Sequence, residues 1–291
     1  MKIRTRLKII IAGFGLLLGI ETVDAQIPTS KATLWEISGP GIEKPSYLFG
    51  TIHMMCQQDF KMSENVKNAV KASDKIALEL DLDEPSINTK MQKLSVNKGM
   101  KNLKGDILSD KLEMVDEYLK SNYGSGIDRL GVLKPFVLNS MISVKAMDCQ
   151  IVQYEQEFIK LAKQQDKEVI GLETAEFQFS LFDSLDYQSQ VNTLVEMIED
   201  PKQVRERLTE LKEAYQAKDI QQLDILMDDY ESVEGFNALL LDARNEKWVD
   251  KMKKQLNDIA LFYAVGSAHL SGENGVIALL RSEGFTVSPL N

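Results

Sequence analysis

The chain has 291 residues, 44% of them hydrophobic and 27% charged, enough for a sizeable core and unlike a low-complexity or disordered chain. Lys and Arg number 34 against 44 Asp and Glu, a net charge of −10, so a phosphate backbone is repelled and nucleic acid is disfavoured as a partner.

The chain opens with MKIRTRLK, followed by the apolar run Ile9 to Ile20 and then ETVDA before Gln26. A basic segment, a short apolar stretch and small residues at Val23 and Ala25 predict a signal peptide over 1–25, cleaved after Ala25. Cleavage removes four basic and two acidic residues, leaving 30 against 42 and a net charge of −12. The alternative is an uncleaved anchor, but the apolar run is shorter than the roughly 20 residues a span needs. With no Cys at the cleavage point, a lipoprotein anchor is not supported. The expectation is an exported protein, periplasmic or secreted, with no stable membrane span after cleavage. Its two cysteines, Cys56 and Cys149, are then either one disulfide or two free thiols.

Next come LWEIS (34–38) and YLFGT (47–51), apolar runs separated by Gly39-Pro40 and Pro45, which predict a hairpin. Ser63 caps a predicted helix, ENVKNAVKAS, which leads into IALELDL (76–82). Ile76, Leu78, Leu80 and Leu82 alternate there with Ala77, Glu79 and Asp81, the pattern of a strand with one apolar face. A helical insertion of about 86–167 feeds the short strand EVIGLE (168–173), and 174–258 is again helical. Strand IALFYAVG (259–266), a helix near 275–282 and FTVSPL (285–290) close the chain. No linker-like stretch interrupts it, so 26–291 reads as one domain of the α/β (α+β) class. A central mixed sheet is built from an N-terminal and a C-terminal strand–helix–strand unit, and Tyr47–Thr51 and Phe262–Gly266 are expected to be neighbours in it.

The only two histidines, His53 and His269, each follow a strand-ending glycine at the same spacing: Gly50-Thr51-Ile52-His53 and Gly266-Ser267-Ala268-His269. With Gly at about 7% of residues, the coincidence has odds of roughly 1 in 200. A glycine at a strand end permits a sharp turn and leaves the floor of a site open. Ligands bind beyond the carboxyl ends of strands in such sheets, and neutral imidazole is a common metal ligand. Glu79 on its strand and Glu173 at the end of EVIGLE offer carboxylates, and Cys56 a thiolate. In LLLDARNEKWVDKMKKQL, Leu241, Asn245, Trp248, Met252 and Leu256 fall on one helical stripe. A polar Asn on that stripe needs a partner, and Arg244 beside it reads as a surface charge or an anion clamp.

These blocks, LWEISGPGIEKPSYLFGTIHMM, DKIALELD, Gly171-Leu172-Glu173-Thr174, Arg244-Asn245 and VGSAHLSGENGVIALLRSEGFTVSPL, resemble the TraB/GumN family. Its relatives include the Tiki metalloproteases and, more remotely, ChaN-like and erythromycin-esterase-like proteins. The resemblance covers about 33–290 and implies an α/β fold whose paired Gly-x-x-His motifs line one active site, with divalent-metal-dependent peptidase activity in the Tiki branch. His53 and His269 then stand at the motif histidines, Glu79 and Glu173 at the acidic positions, and Arg244 and Asn245 at the polar helix pair. Cys56 departs from the family, which often has Pro there.

Two functions follow. In one, a Mn, Co or Zn ion held by His53, His269 and one of Glu79 and Glu173 activates water for hydrolysis of a peptide or protein. The other glutamate is then the general base, and Arg244 or Asn245 stabilises the oxyanion. In the other, the same histidines bind a metal or haem without turnover. The bland alternative is a scaffold in which they only knit strand ends together.

Overall fold

The computed structural model describes residues 27–229 and 235–290. The expected signal segment 1–25 and its expected cleavage point lie outside the described residues.

Two sheets form. The strands in chain order are β1 (Leu34–Ser38), β2 (Ser46–Thr51), β3 (Met55–Cys56), β4 (Lys75–Leu80), β5 (Ile151–Val152), β6 (Val169–Glu173), β7 (Leu261–Gly266) and β8 (Thr286–Leu290). The main sheet has the order β6-β4-β7-β2-β1-β8. Strands β6, β4, β7 and β2 are parallel, whereas β1 is antiparallel to both β2 and β8, which makes the sheet mixed. The hairpin β1–β2 forms as expected, and β2 lies beside β7 with Tyr47 opposite Phe262 and Thr51 opposite Gly266.

The crossovers explain where the site falls. After β2 the chain forms the helix Glu64–Ala72 and returns as β4, passing over β7; after β7 it forms the helix Val276–Ser282 and returns as β8, passing over β2 and β1. These connections leave in opposite directions along the sheet. Because crossovers share one hand, their helices fall on opposite faces. Val66, Ala69 and Val70 pack with Phe49, Ile76, Phe262 and Ala264 on one face, and Val276, Ile277 and Leu280 with Trp35, Tyr263 and Val265 on the other. The gap between β2 and β7 is therefore the topological switch point, where a crevice opens beyond the carboxyl ends of the strands. Both Gly-x-x-His motifs start there.

Covering both faces changes the reading of β4. Ile76 and Leu78 pack on one side and Ala77 on the other, and Glu79 is 8% exposed, so the strand is buried on both faces rather than apolar on one. Much of the insertion has a core of its own, in which Leu103, Leu119, Leu138, Ile142, Val191 and Leu194 pack together. It also contributes β5, which pairs with β3 to make a two-stranded ribbon outside the main sheet. A disulfide between Cys56 and Cys149 ties that ribbon, with the two Cα atoms 5.6 Å apart. Cys56 is therefore a clamp and not a thiolate ligand. Among the described residues no helix is long and apolar enough to cross a membrane.

Candidate active site

Gly266 ends β7, and the groups expected at the site surround it. A Cβ placed on Gly266 would stand 3.4 Å from Glu79 Oε1, 3.5 Å from His53 Nε2 and 3.5 Å from His269 Cδ2, so any two of these atoms are within 7 Å of each other. The glycine has φ −54°, open to any residue, so its value lies in the empty space above it and not in a special turn. Gly50 serves differently. A Cβ there would meet Leu270 Cδ1 at 2.6 Å and Ser267 Cα at 3.1 Å, so this glycine lets the two strand ends close together.

His269, 3% exposed, is locked in place. Asn245 donates its amide N–H to Asn274 O at 2.9 Å, which turns Asn245 Oδ1 toward His269 Nδ1 at 2.7 Å. Nδ1 thus carries the proton and Nε2 is an acceptor, taking an N–H from Arg244 at 3.1 Å. Trp248 lies against the ring, with centroids 4.4 Å apart. Burial above all, with the Arg244 charge adding to it, holds this imidazole down to about 3 and neutral at ordinary pH.

Arg244, on the helix Ala243–Gln255, is the hub. Its Nε–H is shared by both oxygens of Glu173 at 3.1 and 3.2 Å, one terminal nitrogen serves Leu240 O and His269 Nε2, and the other serves Glu79 Oε2 and Glu173 Oε1, both at 2.6 Å. These contacts use all five of its N–H groups. In this arrangement Arg244 has no donor left for an oxyanion, and Asn245, 1% exposed, is spent on orienting His269. Both are positioning groups.

The two glutamates differ. Burial opposes charge on Glu79, but Arg244, both histidines and the Gly266 N–H at 2.8 Å outweigh it and hold the carboxyl down to about 2. For Glu173 burial wins against Arg244, and its pKa is raised. Gln178 Nε2 donates to both, at 3.2 Å to Glu79 and 3.1 Å to Glu173, and Trp248 Nε1 donates to Glu173 at 3.2 Å. Glu79 faces the histidines; Glu173 backs Arg244 from the far side.

His53 stands apart from this locked floor. It sits on the loop between β2 and β3, with 63% of its side chain open to the solvent of the crevice. Its Nδ1 lies 3.2 Å from Glu155 Oε1, which also accepts the Thr51 hydroxyl at 2.9 Å. The protein around the ring opposes its charge, but the Glu155 hydrogen bond and then the Glu79 charge outweigh that and raise it to about 9. The Cys56–Cys149 bridge and the β3–β5 ribbon join the His53 loop to the start of the helix Tyr154–Gln164, which carries Glu155. Sequence reasoning missed Glu155, Gln178 and Asn274. No motif marks them: Glu155 is one acidic residue among 44, and only the fold brings it to the loop.

The donor set suits a divalent ion in its chemistry: a neutral imidazole with Nε2 turned inward and Nδ1 held by Asn245, a second imidazole and an ionised carboxylate around one empty point. Among the described residues, though, no three His, Cys, Asp or Glu side chains already stand as a ligand cluster, and Arg244 occupies His269 Nε2. His53, Arg244, Gly266 and His269 form the floor of a cavity of about 490 Å³ whose walls are largely apolar.

No curated protein and no solved structure matches the chain significantly. A family model described as the TraB/PrgY/gumN family matches residues 33–289, nearly the whole described chain, and both Gly-x-x-His motifs fall inside it, so the chain belongs to the TraB/PrgY/gumN family.

Proposed function

We propose that the chain is an exported metal-dependent hydrolase, a peptidase, working at the floor formed by His53, Glu79 and His269. The convergence of these three groups on the space above Gly266, at the sheet's switch point, carries the reading. His53 Nε2, Glu79 Oε1 and, once the Arg244 N–H that it accepts is displaced, His269 Nε2 would hold a Mn, Co or Zn ion, and such an ion supplies Lewis acidity to a carbonyl or a water. Glu79 suits the ligand role because its low pKa keeps it ionised. Glu173 is poorly placed as a general base, since its oxygens are taken by Arg244, Gln178 and Trp248; it holds Arg244, and Arg244 in turn holds Glu79 and His269. Glu155 holds His53 through Nδ1 and so leaves Nε2 as the ring nitrogen free for an ion; without metal the same bond favours the charged form of the ring. Export, to the periplasm or the medium, is supported by the basic and apolar start of the sequence and by the Cys56–Cys149 disulfide, which persists in an oxidising compartment.

The test is peptide cleavage by the chain from Gln26 onward, with Mn, Co or Zn added and then chelated, for the parent, His53→Ala, His269→Ala and Gly266→Ala. The expected result is metal-restored cleavage in the parent and none in the variants. Cleavage that survives chelation and Gly266→Ala contradicts the reading.

A second reading, a metal- or haem-binding protein without turnover, is favoured by the apolar cavity that opens onto His53. Stoichiometric metal or haem binding without cleavage of any peptide supports it.

A further inference from the structure

Two acceptors face each other on the floor of the crevice: His269 Nε2, whose ring proton is on Nδ1, and Glu79 Oε1, 3.9 Å away. Both side chains are buried, and buried acceptors turned toward each other cost free energy unless a donor or a cation joins them. Arg244 supplies both. One of its terminal nitrogens donates to His269 Nε2 at 3.1 Å and the other to Glu79 Oε2 at 2.6 Å, so a single guanidinium spans two of the three groups around Gly266. An imidazole coordinates through a bare nitrogen lone pair, and the lone pair on Nε2 is the one this N–H takes. Guanidinium and ion therefore compete for the same atom.

The hold on His269 is the one best suited to yield. At 3.1 Å it is longer than the other contacts of the terminal nitrogens, which span 2.6 to 2.9 Å, and its acceptor is a neutral ring, whereas two of the others go to carboxyl oxygens. The nitrogen that reaches His269 also donates to Leu240 O, in the π-helical turn Ala238–Asp242, and such turns often accompany functional sites. Glu173 meanwhile takes Nε–H and the second terminal nitrogen. Release of His269 alone thus leaves Arg244 anchored. We infer that Arg244 is a displaceable stand-in for the ion: without metal it bridges Glu79 and His269 and keeps the floor assembled, and when metal binds it lets go of His269 Nε2 while Glu173 and Leu240 retain it. The apparent metal affinity is then set by how firmly Arg244 holds His269, since only the released arrangement is competent to bind. The inference rests on the metal-binding part of the proposed function and not on turnover.

Zinc titrations of the chain from Gln26 onward test it, by calorimetry and by proton–nitrogen NMR of the His269 ring and the Arg244 side chain. In the parent, zinc should shift the Arg244 guanidinium signals together with His269 Nε2. Arg244→Lys keeps a cation between the glutamates but lacks the fork that reaches His269 from a separate nitrogen, so it should bind zinc roughly tenfold or more tightly than the parent. Its metal-free His269 Nε2 signal should also move toward that of an unbonded imidazole acceptor, a change that loss of structural support alone does not produce. Arg244→Gln, made independently, guards against a local folding defect in the lysine variant. Zinc bound by the parent with the Arg244 signals unmoved, or bound no more tightly by the folded variants, overturns the inference and leaves the metal site standing. No zinc bound by the parent or by either variant overturns both. Tighter binding in the variants with no cleavage of any peptide under any metal leaves the inference standing and defeats the hydrolase reading, so the failures are distinguishable.

Discussion

The two Gly-x-x-His motifs have the same spacing and open from neighbouring strands, yet they produce opposite histidines. His269 is buried, neutral and fixed from both ring nitrogens by Asn245 and Arg244. His53 is open to the crevice, leans toward the cation and is held by Glu155. What differs is the cover. β7 is the central strand with packed helices around its end, whereas the chain leaving β2 runs into a loop held from outside by a disulfide ribbon. One motif builds a buried anchor and the other a solvent-facing group. The glycines differ in the same way, Gly266 keeping space open and Gly50 allowing close approach.

The largest effect should come from the anchor side. Arg244→Met leaves Glu79 and Glu173 buried side by side without their cation, and breaking a buried pair by removing one partner costs about 3–5 kcal/mol. Urea unfolding should show a loss of that order; a change below 1 kcal/mol, on the scale of exposed pairs, would mean that the floor is not organised around Arg244. On the His53 side, replacing Cys56 and Cys149 by Ser opens a loop spanning 93 residues and should cost about 2–4 kcal/mol. The same change should loosen the His53–Glu155 pair while leaving His269 untouched.

The glycines separate the motifs more finely. Gly50→Ala drives a methyl into Leu270 and the Ser267 backbone and should cost about 1–3 kcal/mol. Gly266→Ala meets only ordinary contacts and should stay within about 0.5 kcal/mol of the parent, yet abolish metal binding by filling the space between the donors. Equal thermal shifts for the two substitutions would break the comparison. Glu155→Gln acts through titration rather than packing: it should move the His53 titration from about 9 back toward 6.5, and the pH-dependent stability carried by the raised value goes with it.

The pH dependence has a definite sign for each side. His53 has a raised pKa, so its contribution to stability is complete below 6.5 and is lost as pH rises through about 9. His269 and Glu79 have depressed pKa values. Their contributions are complete above 6.5 and 4.5 respectively, and are lost as pH falls toward about 3 and 2. A His53→Ala variant should therefore lack the alkaline decline and keep the acid one.

Much of this was legible in the sequence because it rests on short-range pattern. The strand runs, the Ser63 cap, the stripe Leu241, Asn245, Trp248, Met252 and Leu256, and the pairing of β2 with β7 follow from periodicity and from the repeated glycine spacing. Glu79 and Glu173 were readable as acids near strand ends. Their sharing of one guanidinium was not, because that depends on the helix Ala243–Gln255 docking across the sheet. Glu155 was out of reach for the same reason: residues 102 apart become partners only when the ribbon brings them together. The pairing of Cys56 with Cys149 needed the fold as well, since sequence fixes neither distance nor orientation.

The central claim is that, without metal, one histidine is a locked neutral anchor and the other a solvent-facing ring held in its charged form. Because the chain has only two histidines, a proton–nitrogen NMR titration of the imidazoles tests it directly. The account predicts one ring that changes charge near pH 9, and a second that keeps its proton on Nδ1 and stays neutral until the pH approaches about 3. Two rings titrating together near 6.5 would contradict it.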